Sequence, residues 1–127
     1  MKEIVSIIRM NKISETKEAL AYAGYPSFIC NKVSGRGKNM INVELVRDLI
    51  DGKEISSPHV LETITEKDRL IAKRYLTIIA HEEDVKKIID IIIETNQTGN
   101  MGDGKIFVCP IDEAIRVRTG ETGDQEI

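Results

Sequence analysis

Thr98-Gly99-Asn100-Met101-Gly102-Asp103-Gly104-Lys105-Ile106-Phe107-Val108 places three glycines within six residues and then runs into an apolar stretch. Glycines at this density belong where the backbone must take positive φ or pass close to another group. Their N–H groups, with no side chain in the way, can converge into an anion-binding nest. Lys105 adds a mobile positive charge directly after the last of them. The stretch reads as a phosphate-binding loop set between a helix and a strand, or else as a tight connector with no ligand. It is not a Walker A loop, because no Gly-Lys-Ser/Thr follows four free residues after a glycine.

Upstream of the loop, Glu82–Glu94 carries Val85, Ile88, Ile89 and Ile92 at helical spacing, with Ile91 and Ile93 widening the stripe. Isoleucine is a mediocre helix former, so packing must hold this helix, and so broad an apolar surface implies burial on more than one side. Before it, Arg74–Ala80 alternates as a strand, with Tyr75, Thr77 and Ile79 on one face and Leu76 and Ile78 on the other. Together with a strand at Lys105–Cys109 these segments form one β-α-β unit. The N-terminal part repeats the pattern. Ile4–Arg9 is a strand, and Asn11 or Ser14 caps a helix that runs to about Ala23. Ile13, Thr16, Ala19, Leu20 and Ala23 are its inner stripe. Gly24 and Pro26 end it, and Phe28–Val33 is the next strand.

Two such units in one chain predict an α+β fold, a ferredoxin-like double β-α-β sandwich. Two helices cover one sheet face. Val5, Ile7, Ile79, Ile106 and Val108 suggest apolar residues on both faces, so the uncovered face implies a partner. A homo-oligomer with its sheets turned toward the symmetry axis satisfies that requirement.

Gly35-Arg36-Gly37-Lys38 closes the first unit, and the segment 35–72 is long for a plain loop. Asn42–Ile50 has some helical spacing, Glu62–Leu70 is mixed in character and rich in charge, and Gly52, Ser56, Ser57 and Pro58 break the middle. The segment reads as an arm with short helices or as an insertion without a role. After Pro110, Ile115-Arg116-Val117-Arg118 alternates as a C-terminal strand with both arginines on one face, and Thr119–Asp124 is a flexible end. The whole chain, 1–127, reads as a single domain.

Composition narrows the function. A net charge of −3 argues against a protein that coats nucleic acid, and an aromatic content of 4% supplies few stacking platforms. No 18-residue apolar run is present, so no membrane span is expected. The first residues are too soon charged for a signal peptide, and the expected location is cytoplasmic. Cys30 and Cys109, each inside a strand, read as small buried hydrophobes.

Six cations lie beside glycine loops or strand ends: Arg36, Lys38, Arg74, Lys105, Arg116 and Arg118. Glycine amides with arginine forks are what a polyphosphate needs, and two such loops suit a nucleoside triphosphate. No catalytic set is evident. His59 lies in the middle segment, and His81 at the start of the second helix reads as a capping or solvated residue. Asp103 is a candidate to orient the loop or assist a magnesium ion. Binding without turnover is the leading reading. The alternatives are a slow ATPase, in which Asp103 and Lys105 orient water and phosphate, and a metal- or anion-sensing trimer of the same fold without adenine specificity.

The chain resembles the PII signal-transduction proteins of nitrogen regulation. The motifs that carry the resemblance are Thr98–Val108, Ile115-Arg116-Val117-Arg118-Thr119-Gly120-Glu121, Gly35-Arg36-Gly37-Lys38, Glu18-Ala19-Leu20 and Gln97-Thr98-Gly99. They cover roughly 1–38 and 73–124. The resemblance implies a homotrimer that is not an enzyme, with ATP or ADP in clefts between subunits and 2-oxoglutarate bound through Mg2+ at the base of a long T-loop. It places Gly35, Arg36, Gly37 and Lys38 at the phosphates and the T-loop base. Gly102, Asp103, Gly104 and Lys105 become the phosphate-binding B-loop. Arg116 and Arg118 reach in from the neighbouring subunit, and Ile29 and Thr98 border the adenine. Lys73, beside Arg74, corresponds to the lysine that reaches 2-oxoglutarate.

Three departures stand out. The T-loop has no tyrosine, since Tyr22, Tyr25 and Tyr75 lie outside it, which leaves tyrosine modification without an acceptor. Asn39 stands where the family has a magnesium-binding glutamine, and keeps a side-chain carbonyl as a Mg ligand. The loop is also longer. These features are similar to the nitrogen-fixation-associated branch, which implies nitrogenase or another nitrogen-metabolism protein as the target and a paralogous PII partner.

Overall fold

A computed structural model describes residues 1–37 and 70–126. The chain divides into two units, Met1–Val33 with Ala72–Ile127, and Ser34–Ile71. The helical readings within 38–69, together with Lys38, Asn39 and His59, lie outside the described residues.

The first strand, β1 (Lys2–Arg9), alternates as its sequence requires, with Ile4 and Ile8 on the same side and both fully buried. The chain leaves it through a 3-10 turn at Met10–Lys12 and enters helix α1 (Ile13–Tyr22). Asn11 and Ser14 were both reasonable caps by type, but the residue at the helix start is Lys12 and no side chain caps it. The 3-10 turn takes over the entry instead. Thr16 and Leu20, one helical turn apart, are buried against the sheet side.

The end of α1 follows its sequence closely. Gly24 sits at φ 95. Its N–H bonds the carbonyl of Ala21 at 3.0 Å, and the N–H of Tyr25 bonds that of Leu20 at 2.8 Å. These are the paired bonds of a Schellman motif, which needs a left-handed residue where Gly24 stands. Tyr25 then packs on the core, and its hydroxyl donates to the Asp84 carboxylate at 2.9 Å.

Three more strands complete the sheet: β2 (Ile29–Gly35), β3 (Ile71–Ala80) and β4 (Lys105–Pro110). Helix α2 (Val85–Asn96) joins β3 to β4, after a 3-10 turn at Glu82–Asp84 that places three carboxylates at the positive end of the helix dipole. The strand order is β2-β3-β1-β4, with β1 antiparallel to both β3 and β4. Each β-α-β unit therefore leaves a gap that a strand of the other fills, which is the ferredoxin-like sandwich expected from the pattern.

Register sorts the side chains. Ile4 lies opposite Ile78 and Val108, and Ser6 opposite Leu76 and Ile106, on the helix face. Ile4, Ile8, Leu76, Ile78 and Ala80 of the sheet meet Leu20, Ile88 and Ile92 of the helices in one core. Val5 opposite Thr77 and Phe107, and Ile7 opposite Tyr75 and Lys105, point to the other face. Phe107 there is 50% exposed. On α2 the buried line is Ile88, Ile92 and Asn96, at intervals of four. Ile89 and Ile91 are half-buried and Ile93 is exposed, so within one chain the helix is apolar on more of its circumference than the sheet covers.

Two further sequence expectations need correction. Ile115–Arg118 is not a strand of the sheet. Ile115 makes an isolated bridge to Thr122, and the turn between them is closed by Arg116 N–H to Glu121 O at 2.8 Å and Gly120 N–H to Arg116 O at 2.7 Å. Four residues of alternation are satisfied equally well by such a turn, and Val117 is 99% exposed on it. The cysteines also differ from expectation. Cys30 is exposed and Cys109 half-buried, both free. Among the described residues, Cys30 lies on an edge strand of the sheet, β2.

Candidate functional site

The loop between α2 and β4 is organised by one carboxylate. Asp103 Oδ2 accepts the N–H of Thr98 at 2.8 Å and of Gly99 at 3.1 Å. Asp103 Oδ1 accepts the Thr98 hydroxyl in a short hydrogen bond and Arg9 Nη2 at 3.2 Å. These donors hold the carboxyl well below its usual range, at about 2, with the Thr98 hydroxyl the largest cause, followed by the Thr98 amide. Asp103 therefore ties the start of the loop to its end.

Two cations grip the loop backbone. Arg9 Nη2 donates to Met101 O at 2.9 Å, and Lys73 Nζ to Gly102 O at 2.7 Å. Arg9 and Lys73 are opposite partners in the β1–β3 register, so the sheet brings them together. Burial, and then the charge of Arg9, lowers the Lys73 ammonium below its ordinary pKa, while Asp103 pulls it up. Two positive groups share one carboxylate here. A further anion nearby is electrostatically favoured.

Glycine is required at two positions. Gly102 sits at φ 95, and a Cβ there would lie 3.3 Å from Arg9 Nη2. Gly104 sits at φ 116, and a Cβ would lie 1.9 Å from the carbonyl oxygen of Ile7. The second is a backbone-to-backbone approach that no side chain fits. A groove of about 340 Å³ lies behind the loop, between Ile92, Asn96 and Gln97 at the end of α2 and Asp103, Gly104 and Ile106. Asn96 is buried and donates to Thr16 Oγ1 at 3.0 Å and to Ile92 O at 2.9 Å. Thr16 Oγ1 in turn donates to Lys12 O at 2.7 Å. This polar line fixes the end of α2, and with it the start of the loop, to α1.

Of the residues singled out in the sequence, Thr98, Gly102, Asp103 and Lys73 meet directly in these bonds, and Gly104 and Lys105 follow in the same backbone. Lys105 is exposed, opposite Ile7. Arg74 is half-buried opposite Ile8. Ile29 is exposed at the start of β2. Gly35, Arg36 and Gly37 belong to the second unit. Arg116 and Arg118 lie on the C-terminal turn, Arg116 half-buried and Arg118 exposed. The sequence reading missed Arg9. No local signal marks it, since its partners are more than ninety residues away. Among the described residues no group of histidine, cysteine and carboxylate side chains could hold a metal. No described helix is long and apolar enough to cross a membrane.

The family model described as nitrogen regulatory protein P-II matches residues 1–121. The chain belongs to the P-II family. Its relatives include a nitrogen fixation nifHD region GlnB-like protein 2 of Methanobacterium ivanovii, 42% identical over all of this chain and 99% of that protein. The protein of the same description from Methanococcus maripaludis is 41% identical with both chains fully covered. A nifHD1 region GlnB-like protein 2 of Methanosarcina barkeri is 42% identical over 98% of this chain and 97% of its own. Among solved structures, Arabidopsis thaliana PII bound to citrate matches with a TM-score of 0.71 and 28% identity, over 99% of this chain and 91% of that one. The P-II chain described here is thus a nitrogen regulatory protein rather than an enzyme, with several of its relatives coming from archaeal nitrogen-fixation regions. Its P-II glycine loop is the one that Asp103, Arg9 and Lys73 hold in place.

Proposed function

We propose that this P-II protein senses ATP or ADP together with 2-oxoglutarate and regulates nitrogenase by direct binding, acting as a homotrimer. The observation that carries this reading is the glycine loop. Its carboxylate and two of its carbonyls are taken up by Thr98, Gly99, Arg9 and Lys73, which leaves Lys105 and the Gly102 and Gly104 amides for a phosphate. Gly35, Arg36, Gly37 and Lys38 are assigned to the phosphates by the family resemblance, and Arg116 and Arg118 to the same nucleotide from a neighbouring copy. Ile29 and Thr98 border the base. Lys73, with Arg74 beside it, serves a carboxylate effector.

Magnesium fits this set only in part. Both oxygens of Asp103 are already engaged by Thr98, Gly99 and Arg9, so this carboxylate is not available as a metal ligand. Asn39 is the side chain that would hold the ion. When bound, the ion would neutralise the negative charge of the phosphates and the effector. The Arabidopsis relative was crystallised with citrate, a polycarboxylate, which supports an acid effector. The nifHD-region names of the archaeal relatives support nitrogenase as the target.

The test is calorimetry with ATP, ADP and 2-oxoglutarate, singly and together with Mg2+, alongside native mass measurement. Expected are nucleotide binding, 2-oxoglutarate binding only when ATP and Mg2+ are present, and a mass of three subunits. Equal affinity for ATP and tripolyphosphate would remove the adenine site, and a monomer would remove the shared cleft.

A further inference from the structure

The glycine loop is held from beneath by a residue that its own sequence does not announce. We propose that Arg9 is a positioning residue that aims the Gly102 amide at the bound anion, an inference that rests on the reading of residues 98–105 as a phosphate loop. The geometry is that of one peptide plane. Arg9 Nη2 holds the carbonyl of Met101 at 2.9 Å. No peptide bond among the described residues is cis, and in a planar trans peptide the C=O and the next N–H point in opposite directions. With its carbonyl drawn to the guanidinium, the Met101–Gly102 peptide must turn the Gly102 N–H away from it.

The next peptide is set the same way. Gly102 at φ 95 allows the chain to reverse, so that its own carbonyl reaches Lys73 Nζ at 2.7 Å. Without a positive φ the two carbonyls would not be turned in succession onto two neighbouring cations. Arg9 Nη2 also reaches Asp103 Oδ1 at 3.2 Å. A single nitrogen therefore connects the turn that carries the amide with the carboxylate that closes the loop.

Arg9 accepts a cost for this placement. Its Nε is buried and finds no partner among the described residues. A side chain free to choose would turn that donor to an acceptor or to water, because a buried unpaired donor is destabilising. The guanidinium is fixed by its far end. A lysine at position 9 keeps the charge and a donor but lacks the planar fork that lets one nitrogen serve both a carbonyl and a carboxylate in fixed directions.

The experiment uses the 15N-labelled full chain with Arg9→Met and Arg9→Lys. The Gly102 amide resonance is followed in ligand-free protein, with Gly120 on the C-terminal turn as reference, and ATP affinity is measured by calorimetry. Arg9→Met is expected to shift the Gly102 resonance while Gly120 stays in place, and to weaken ATP at least tenfold. Arg9→Lys is expected to fall between it and the parent on both readouts. A Gly102 resonance that does not move in Arg9→Met overturns the proposal, and so does unchanged ATP affinity in a parent that binds ATP. Absence of ATP binding by the parent instead sinks the phosphate-loop reading, which the ligand-free resonance does not depend on. If Arg9→Met fails to fold, Arg9→Lys carries the test, and parental values on both readouts overturn the proposal.

Discussion

Replacing Gly104 with alanine tests the loop's tightest point. The new Cβ would stand 1.9 Å from the Ile7 carbonyl oxygen, and ordinary contact begins at 3.4 Å. The two backbones must separate by about 1.5 Å. Neither yields easily, because Ile7 is paired with Lys105 at the end of the β1–β4 ladder. Breaking that last ladder bond costs on the order of 1 kcal/mol, and a non-glycine residue at φ 116 costs on the order of 1–3 kcal/mol more. The expected loss is roughly 2–4 kcal/mol. Gly99→Ala is the matched control. It also has positive φ, 84, but nothing lies within 4 Å of its Cβ, so only backbone strain of about 1–2 kcal/mol applies. Urea unfolding of both variants at one protein concentration reads the difference, and ATP titration should show the greater loss for Gly104→Ala. Equal destabilisation by the two variants would refute the close approach as the reason for glycine at 104.

Three further outcomes follow from the same geometry. Asn96→Ala should cost about 1–3 kcal/mol, because it removes the buried bond to Thr16. In a double-mutant cycle with Thr16→Val by urea unfolding the two losses should be less than additive, and strict additivity would show that the bond contributes nothing. Asp103, with its folded pKa lowered to about 2, contributes stability that is complete above the ordinary carboxylate range and is lost as pH falls through that value. The Thr98 and Gly99 amide resonances should therefore hold their positions from pH 5 to 3 and move only near 2, whereas a midpoint near 3.8 would mean the bonds are not made in solution. Arg118→Ala should weaken ATP more than tenfold, about 1.4 kcal/mol or more, and unchanged calorimetric affinity would remove that arginine from the site.

The parts of the fold that could be read in advance are those set by local periodicity. The alternation of Ile4–Arg9 and Arg74–Ala80, the isoleucine stripe of α2, and the Gly24-x-Pro26 stop of α1 each depend on residues near one another in sequence. Where a contact joins distant segments, nothing local marks it. Arg9 looked like the last residue of a strand, and Asn96 lay beyond the helix read over Glu82–Glu94. Only the β1–β3 register and the packing of α1 on α2 reveal what each one holds. The C-terminal strand failed for a related reason. Ile115–Arg118 is too short for alternation to distinguish a sheet strand from a turn bridged to Thr122. Cys30 shows that apolar character within a strand does not imply burial when that strand is at the edge.

The reach of Asp103 back to Thr98 turns this piece of chain into a small closed ring. Ring closure happens during folding, so the conformational entropy of fixing those residues, on the order of 1–2 kcal/mol each, does not enter the free energy of capturing an anion. A ligand arriving at such a ring has only its own water and its own freedom to give up. For a ligand of the kind proposed above, this ring would then add no slow ordering step to capture or release.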